Sequence, residues 1–168
     1  MSDYQSDLKI SDNILKQNGE LYRKIRNTAR FLLANIDGLE KLVEVEKLGV
    51  LDKWILEKAK RVFDEIESSF KIYEFSKGLN RLNNFLVVDL SGIYLDVCKD
   101  RLYCDDKNDI HRTASQTAMA MITKKLISTL ACILTYTMDE LLDYAPKIVK
   151  GDAKDIFDFE KYNLPDVK

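Results

Sequence analysis

Lys16, Arg23, Asn27 and Arg30 follow one another at intervals of seven, four and three residues. On a helix that spacing gathers them within about 40° of Arg23, with Arg26 on the flank. A guanidinium offers planar, bidentate donors and an ammonium a point charge, and both suit the phosphates of a nucleic-acid backbone. The segment from Asp12 to Asn35 holds five basic and two acidic residues, whereas the whole chain carries 26 Lys+Arg against 28 Asp+Glu. This one helix therefore departs from the acidic balance of the rest. A solvated surface is the competing reading of the same face, and a near-neutral chain implies modest, strongly salt-dependent RNA affinity.

Catalytic chemistry finds no comparable constellation. The sequence contains no G-x-x-x-x-G-K-[ST], G-x-G-x-x-G, G-x-S-x-G or H-E-x-x-H, so phosphate cradles, nucleophile elbows and zincin sites are not encoded. His111 is the single histidine, which prevents any two-histidine motif. Glu-x-x-His, the signature of di-iron bundles, is absent too. Cys98, Cys104 and Cys132 are an odd number without a C-x-x-C pair, and they read as free thiols rather than a disulfide framework or zinc ligands. The pairs Asp89/Asp96 and Asp105/Asp106 have no spacing that singles them out as an acid–base couple.

The 168 residues, 46% apolar and 32% charged, suit one helical domain with charge on its outer faces. No apolar run approaches the ~18 residues of a membrane span, and the N-terminus has neither a basic nor an apolar leader region. A cytoplasmic, monomeric protein without membrane contact is expected. Ser11 is placed to cap a helix over 12–35 whose buried stripe is Ile14, Leu21, Ile25, Thr28, Leu32 and Ile36. A connection with a short helical turn follows over 36–50, then a second helix from Leu51 anchored by Trp54. A third runs from Phe75 to about Leu102. Its centre, Phe85 to Leu90, is apolar nearly all round and should be the most enclosed, with Gly78 and Gly92 marking close approaches of neighbours. After the polar break 104–109 a fourth helix spans Ile110 to about Thr135, and Thr137-x-x-Glu140 has the spacing of a capping box that starts a fifth. The prediction is an all-α bundle of four to five helices over 1–146, with an acidic, partly ordered tail over 147–168 that packs through its aromatics.

Tyr22-Arg23-Lys24-Ile25-Arg26-Asn27-Thr28-Ala29-Arg30-Phe31-Leu32-Leu33 resembles the opening helix of the anticodon-binding domain of bacterial-type isoleucyl-tRNA synthetases. The preceding Ser2-Asp3-Tyr4, Asp7-Leu8-Lys9-Ile10-Ser11 and Ile14-Leu15-Lys16 are similar to the segment that leads into it. Tyr73-Glu74-Phe75, Asn84-Phe85, Val88-Asp89-Leu90-Ser91, Tyr94-Leu95-Asp96, Lys99-Asp100-Arg101-Leu102-Tyr103-Cys104, and Arg112 with Ser115-Gln116-Thr117-Ala118, match the same family in the same order. The resemblance covers roughly residues 2–145. It implies a helical bundle that receives the anticodon stem-loop of isoleucine tRNA, inside a class I ligase that attaches isoleucine to tRNA with ATP. ATP and magnesium would belong to the parent's catalytic core, a partner in the same polypeptide. Neither a His-Ile-Gly-His nor a Lys-Met-Ser-Lys-Ser motif occurs here, so an excised, non-catalytic fragment without cofactors is expected.

The resemblance adds weight to tRNA contacts by Arg23, Arg26, Asn27 and Arg30, followed by Lys16 and Lys24. Lys99, Arg101 and Tyr103 form a second candidate patch, because a cation beside an aromatic suits an unstacked loop base. The alternative is that Arg101 pairs with Asp96 or Asp105 and that Tyr103 lies in the core. Asp89 and Ser91 are expected to bridge helices. The sequence departs from the family where Leu130-Ala131-Cys132-Ile133-Leu134-Thr135-Tyr136 replaces a Leu-Ala-Pro-Ile-Leu-Pro-Phe stretch, which should soften the break between the last two helices. The other function class open to the sequence is a helical protein–protein interaction module without RNA binding.

Overall fold

A computed structural model describes residues 11–107 and 109–167. The matching blocks at Ser2-Asp3-Tyr4 and Asp7-Leu8-Lys9-Ile10, and Asn108 of the polar break, lie outside the described residues. Those described form helices, turns and irregular segments with no strand, which is the expected all-α class. The helices are α1 (Asp12–Ile36), α2 (Val50–Lys71), α3 (Phe75–Asn84), α4 (Asp96–Cys104), α5 (Ile110–Leu130), α6 (Thr135–Asp143) and α7 (Lys147–Lys150), with a 3-10 turn at Val45–Lys47. A π-helical stretch, Phe85–Leu95, joins α3 to α4 without a break, since Asn84, Phe85, Leu95 and Asp96 all keep right-handed helical dihedrals.

Capping sets the two long starts. Ser11 Oγ accepts from the Ile14 amide at 3.4 Å, and Asp12 places a carboxylate at the positive end of α1. Asp109 Oδ1 accepts from the amides of His111 (2.7 Å) and Arg112 (3.3 Å) at the head of α5. The capping-box expectation is corrected: Thr137 lies inside α6, whose cap position is Leu134 with no side-chain bond. The Thr137 hydroxyl instead meets the Tyr22 phenol at 3.2 Å, and Glu140 reaches across to Arg26. The break before α6 persists without prolines. Helix α5 ends at Leu130, and Leu134 adopts φ −124°, ψ 45°.

Helix α5 lies at the centre, in contact with α1, α2, α4, α6 and α7. Every residue from Ala114 to Thr123 is buried, so α5, not the expected third helix, is the most enclosed. Small side chains such as Ala118 and Ala120 let neighbours close in. Two of its buried hydroxyls are satisfied by their own helix: Thr117 donates to the Thr113 carbonyl at 2.8 Å and Thr123 to that of Met119 at 2.7 Å. Gln116 Nε2 donates to the Asn35 carbonyl at 2.8 Å, and the Val43 amide donates to Thr117 Oγ1 at 3.0 Å. These two bonds hold the end of α1 and the following loop.

The π stretch explains why the third helix is less enclosed. An i→i+5 winding changes the register of its side chains, and Val87, Val88, Ile93 and Val97 emerge at 42–52% exposure. Gly92 is exposed, and a Cβ there would come within 2.9 Å of the Val87 carbonyl oxygen five residues back. Its close approach is to its own backbone rather than to a neighbouring helix. Gly78 does match the expectation, because a Cβ there would meet the Phe70 ring of α2 at 2.6 Å. Trp54 is only half-buried; Phe63 and Phe85, packed edge to face at 5.9 Å, fill the centre instead. Asp89 bridges to Lys58 of α2 at 3.3 Å as expected, whereas Ser91 is exposed.

A buried polar cluster fixes α2, α4, α5 and the π stretch to one another. Asp52 is fully enclosed, and its Oδ1 accepts from the Tyr94 hydroxyl at 2.6 Å and from Ser115 Oγ at 3.0 Å. Burial, then the Asp52 charge, pushes the Tyr94 phenol well up, so it stays protonated and donating. Tyr94→Phe leaves Asp52 short of a donor in the interior. We expect it to lower stability by about 1–3 kcal/mol, read as a shift in the urea unfolding midpoint at unchanged slope; an unmoved midpoint would show that the bond contributes nothing net.

The segment after α7 has no regular structure but is tied down. Ile156 and Leu164 are buried, Phe159 and Tyr162 half-buried, and Phe157 points outward. Aliphatic side chains rather than aromatics alone thus seat the tail. The Ile156 amide donates to Asp139 Oδ1 at 2.9 Å, Lys161 pairs with Glu67 at 2.7 Å, and Asp166 pairs with Lys60.

Candidate nucleic-acid interface

The amphipathic pattern of α1 buries Ile25, Ala29, Leu32, Leu33 and Ile36 and turns the opposite side outward. Arg23, Lys24, Asn27 and Arg30 are exposed, as is Lys16. Among the described residues no carboxylate pairs with Lys16, Arg23, Lys24 or Arg30. Arg26 is different: its guanidinium donates to Glu140 Oε1 of α6 at 2.9 Å. The pair is about half exposed on both sides, where such a bond adds little stability and is readily exchanged for another anion.

Arg26 and Arg30 rise along one wall of a groove of about 720 Å3 between α1 and α6. Leu33, Ala34, Leu141 and Pro146 supply its apolar lining, and Asp37, Glu140 and Tyr144 complete it. Tyr144 closes α6 and is 77% exposed. A shape with an apolar lining, two guanidiniums and an accessible aromatic ring can hold a flat, partly apolar, anionic group. Sequence reasoning did not single out Tyr144. The available signal was an aromatic directly before Ala145-Pro146, at the point where the helix must end.

The second predicted patch is placed elsewhere, on α4. Lys99 pairs with Asp96 at 2.8 Å. Arg101 turns inward, 3.7 Å from Asp52 Oδ2 and 3.4 Å from Ser115 Oγ, so its carboxylate partner is neither Asp96 nor Asp105. Tyr103 is not core; it is 66% exposed. None of the three lines the α1–α6 groove.

No group of three or more His, Cys, Asp or Glu among the described residues is placed to hold a metal ion. Cys98 is buried, and Cys104 and Cys132 are exposed, all as free thiols. Burial pushes both the Cys98 and Cys132 thiols up, away from the thiolate form a nucleophile needs. No helix among the described residues is long and apolar enough to cross a membrane.

Residues 52–165 match the family described as the anticodon-binding domain of tRNA ligase. The chain belongs to that family. It is 80% identical over 168 residues to an isoleucine–tRNA ligase of Aliarcobacter butzleri, all of this chain and 18% of that protein. It is 61% identical over 168 residues to the isoleucine–tRNA ligase of a Nitratiruptor species, again all of this chain and 18% of the relative. With the enzyme of the same name from Campylobacter concisus it shares 64% over 158 residues, 94% of this chain and 17% of the relative. This anticodon-binding domain thus spans under a fifth of the length of these relatives. The family match begins at Asp52 and leaves α1 outside it, whereas the similarity to the first two ligases runs through the basic helix as well.

Proposed function

We propose that the chain is the module of an isoleucine–tRNA ligase that receives the anticodon stem-loop of isoleucine tRNA. The observation that carries this reading is the groove that Arg26 and Arg30 of α1 line together with the exposed Tyr144, on a chain of the anticodon-binding family. The exposed cations of α1, Arg23, Arg30, Lys16 and Lys24, contact phosphates, and Asn27 supplies an amide beside them. Lys99, Arg101 and Tyr103 act as a secondary contact, with Tyr103 its accessible member. The parent polypeptide carries out the ligation of isoleucine to tRNA with ATP, whose site and magnesium belong to its catalytic core. The module itself works as a monomer in the cytoplasm, without cofactor.

Fluorescence anisotropy of the isoleucine anticodon stem-loop, titrated with this chain at low and near-physiological salt beside a loop of altered anticodon, tests the reading. Affinity should fall steeply with salt, as phosphate contacts require, and should differ between the loops. Equal binding of both loops would reduce the module to a phosphate-contacting helix, and no binding at low salt would remove the reading. A second reading, a protein-docking module, draws on the exposed Val87, Val88, Ile93 and Val97. A stable homodimer in sedimentation equilibrium, together with no RNA affinity, would favour it.

A further inference from the structure

The groove between α1 and α6 has more structure than a phosphate contact needs. Cations suffice to hold a phosphate, yet this groove also has an aliphatic lining, Leu33, Ala34, Leu141 and Pro146, and includes the aromatic Tyr144. Its volume falls in the ~300–1,000 Å3 of sites that enclose small organic groups. Tyr144 remains largely exposed although Leu141 and Leu142 of the same helix are buried, so folding makes no use of its ring. A tyrosine ring stiffened by only two side-chain torsions and left facing solvent beside guanidiniums is the complement of a base removed from its stack. The base presents a flat face to the ring and its phosphate to a cation. Glu140 is already neutralised by Arg26, which leaves Arg30 as the groove's unpaired cation among the described residues.

We infer that the α1–α6 groove takes one unpaired nucleobase, stacked on Tyr144, with its phosphate at Arg30. The inference rests on the tRNA-binding reading and names the subsite through which that reading would distinguish loops. Tyr144 is a positioning residue for the loop, and it acts through its ring face rather than its hydroxyl, because stacking needs no donor. A peptide side chain in the same groove is the alternative occupant.

The test uses the 168-residue chain and an isoleucine anticodon stem-loop with 2-aminopurine placed at one loop position at a time, since stacking changes the fluorescence of that base. We expect the wild-type chain to alter the signal at one loop position above all. Tyr144→Phe should keep both signal and affinity, whereas Tyr144→Ala should abolish the signal and weaken binding by about tenfold or more. Because Tyr144 is exposed, its variants should unfold at the wild-type midpoint. If Tyr144→Ala binds as tightly and gives the wild-type signal, the stacking site is overturned while tRNA binding stands. If the wild-type chain does not bind the stem-loop at low salt, the tRNA reading falls and the subsite with it.

Discussion

Glu67→Gln should lower the unfolding free energy by about 3 kcal/mol, the near end of the range for breaking a buried ion pair. Lys125 of α5 is 2% exposed, and its Nζ lies 2.5 Å from Glu67 Oε1. Glu67 Oε1 also accepts from Thr129 at 3.3 Å, and Oε2 meets Lys161 of the tail at 2.7 Å. Removing the carboxylate charge strands an enclosed ammonium and weakens one tie of the tail, that of Lys161. Adding Lys125→Met should recover much of the loss, because an apolar chain of similar volume needs no partner. Urea unfolding of the two variants checks this; a double variant no more stable than Glu67→Gln would show that the loss does not come from the stranded charge.

The same pair predicts an acid response. Burial raises the Glu67 carboxyl, but the hydrogen bonds and charges of Lys125 and Lys161 outweigh it and leave it below the ordinary value of 4.5. A carboxyl with a lowered folded-state pKa contributes stability that is complete above its unfolded value and lost as the pH falls through the folded one. The gap between wild type and Glu67→Gln should therefore be full at neutral pH and shrink as the pH falls below about 4.5. A gap that stays constant into acid would contradict the ionic origin of the effect.

Arg26→Ala combined with Arg30→Ala should weaken stem-loop binding by about a hundredfold or more at low salt, from two hydrogen bonds to charged groups of about 1.5–3 kcal/mol each. The slope of log affinity against log salt should flatten by about one for each phosphate that is no longer neutralised. The two single changes are not equivalent. Arg26→Ala also exposes the Glu140 carboxylate, which otherwise sits 2.9 Å from the guanidinium, as a repulsive charge in the groove, so it should cost more than Arg30→Ala. Glu140→Gln on the Arg26→Ala background should return part of the loss. Unchanged affinity in the double variant would take the groove out of the interface.

What the sequence determined on its own follows from local rules. The helix class, the α1 boundaries and the cationic side of α1 were legible because a 100° step per residue sorts apolar from charged positions without knowledge of any neighbour. The absence of catalytic motifs and the family resemblance were equally readable, since both live in residue types and order. The tertiary structure decided the rest. The polar Ser115, Gln116, Thr117 and Thr123 of α5 kept periodicity from marking it as the core; it is central because Thr117 and Thr123 bond their own turn, Ser115 and Gln116 find partners on α2 and α1, and small side chains admit neighbours. The π stretch reversed the expected enclosure of Val87 and Val88, since an i→i+5 register is set by packing rather than composition. Arg101 turned to Asp52, and Thr137 and Glu140 to Tyr22 and Arg26, because a buried or facing partner far along the chain outcompetes a local one. The α1–α6 groove belongs to the same class: Arg26 and Tyr144 are 118 positions apart, and only the fold sets them along one cleft.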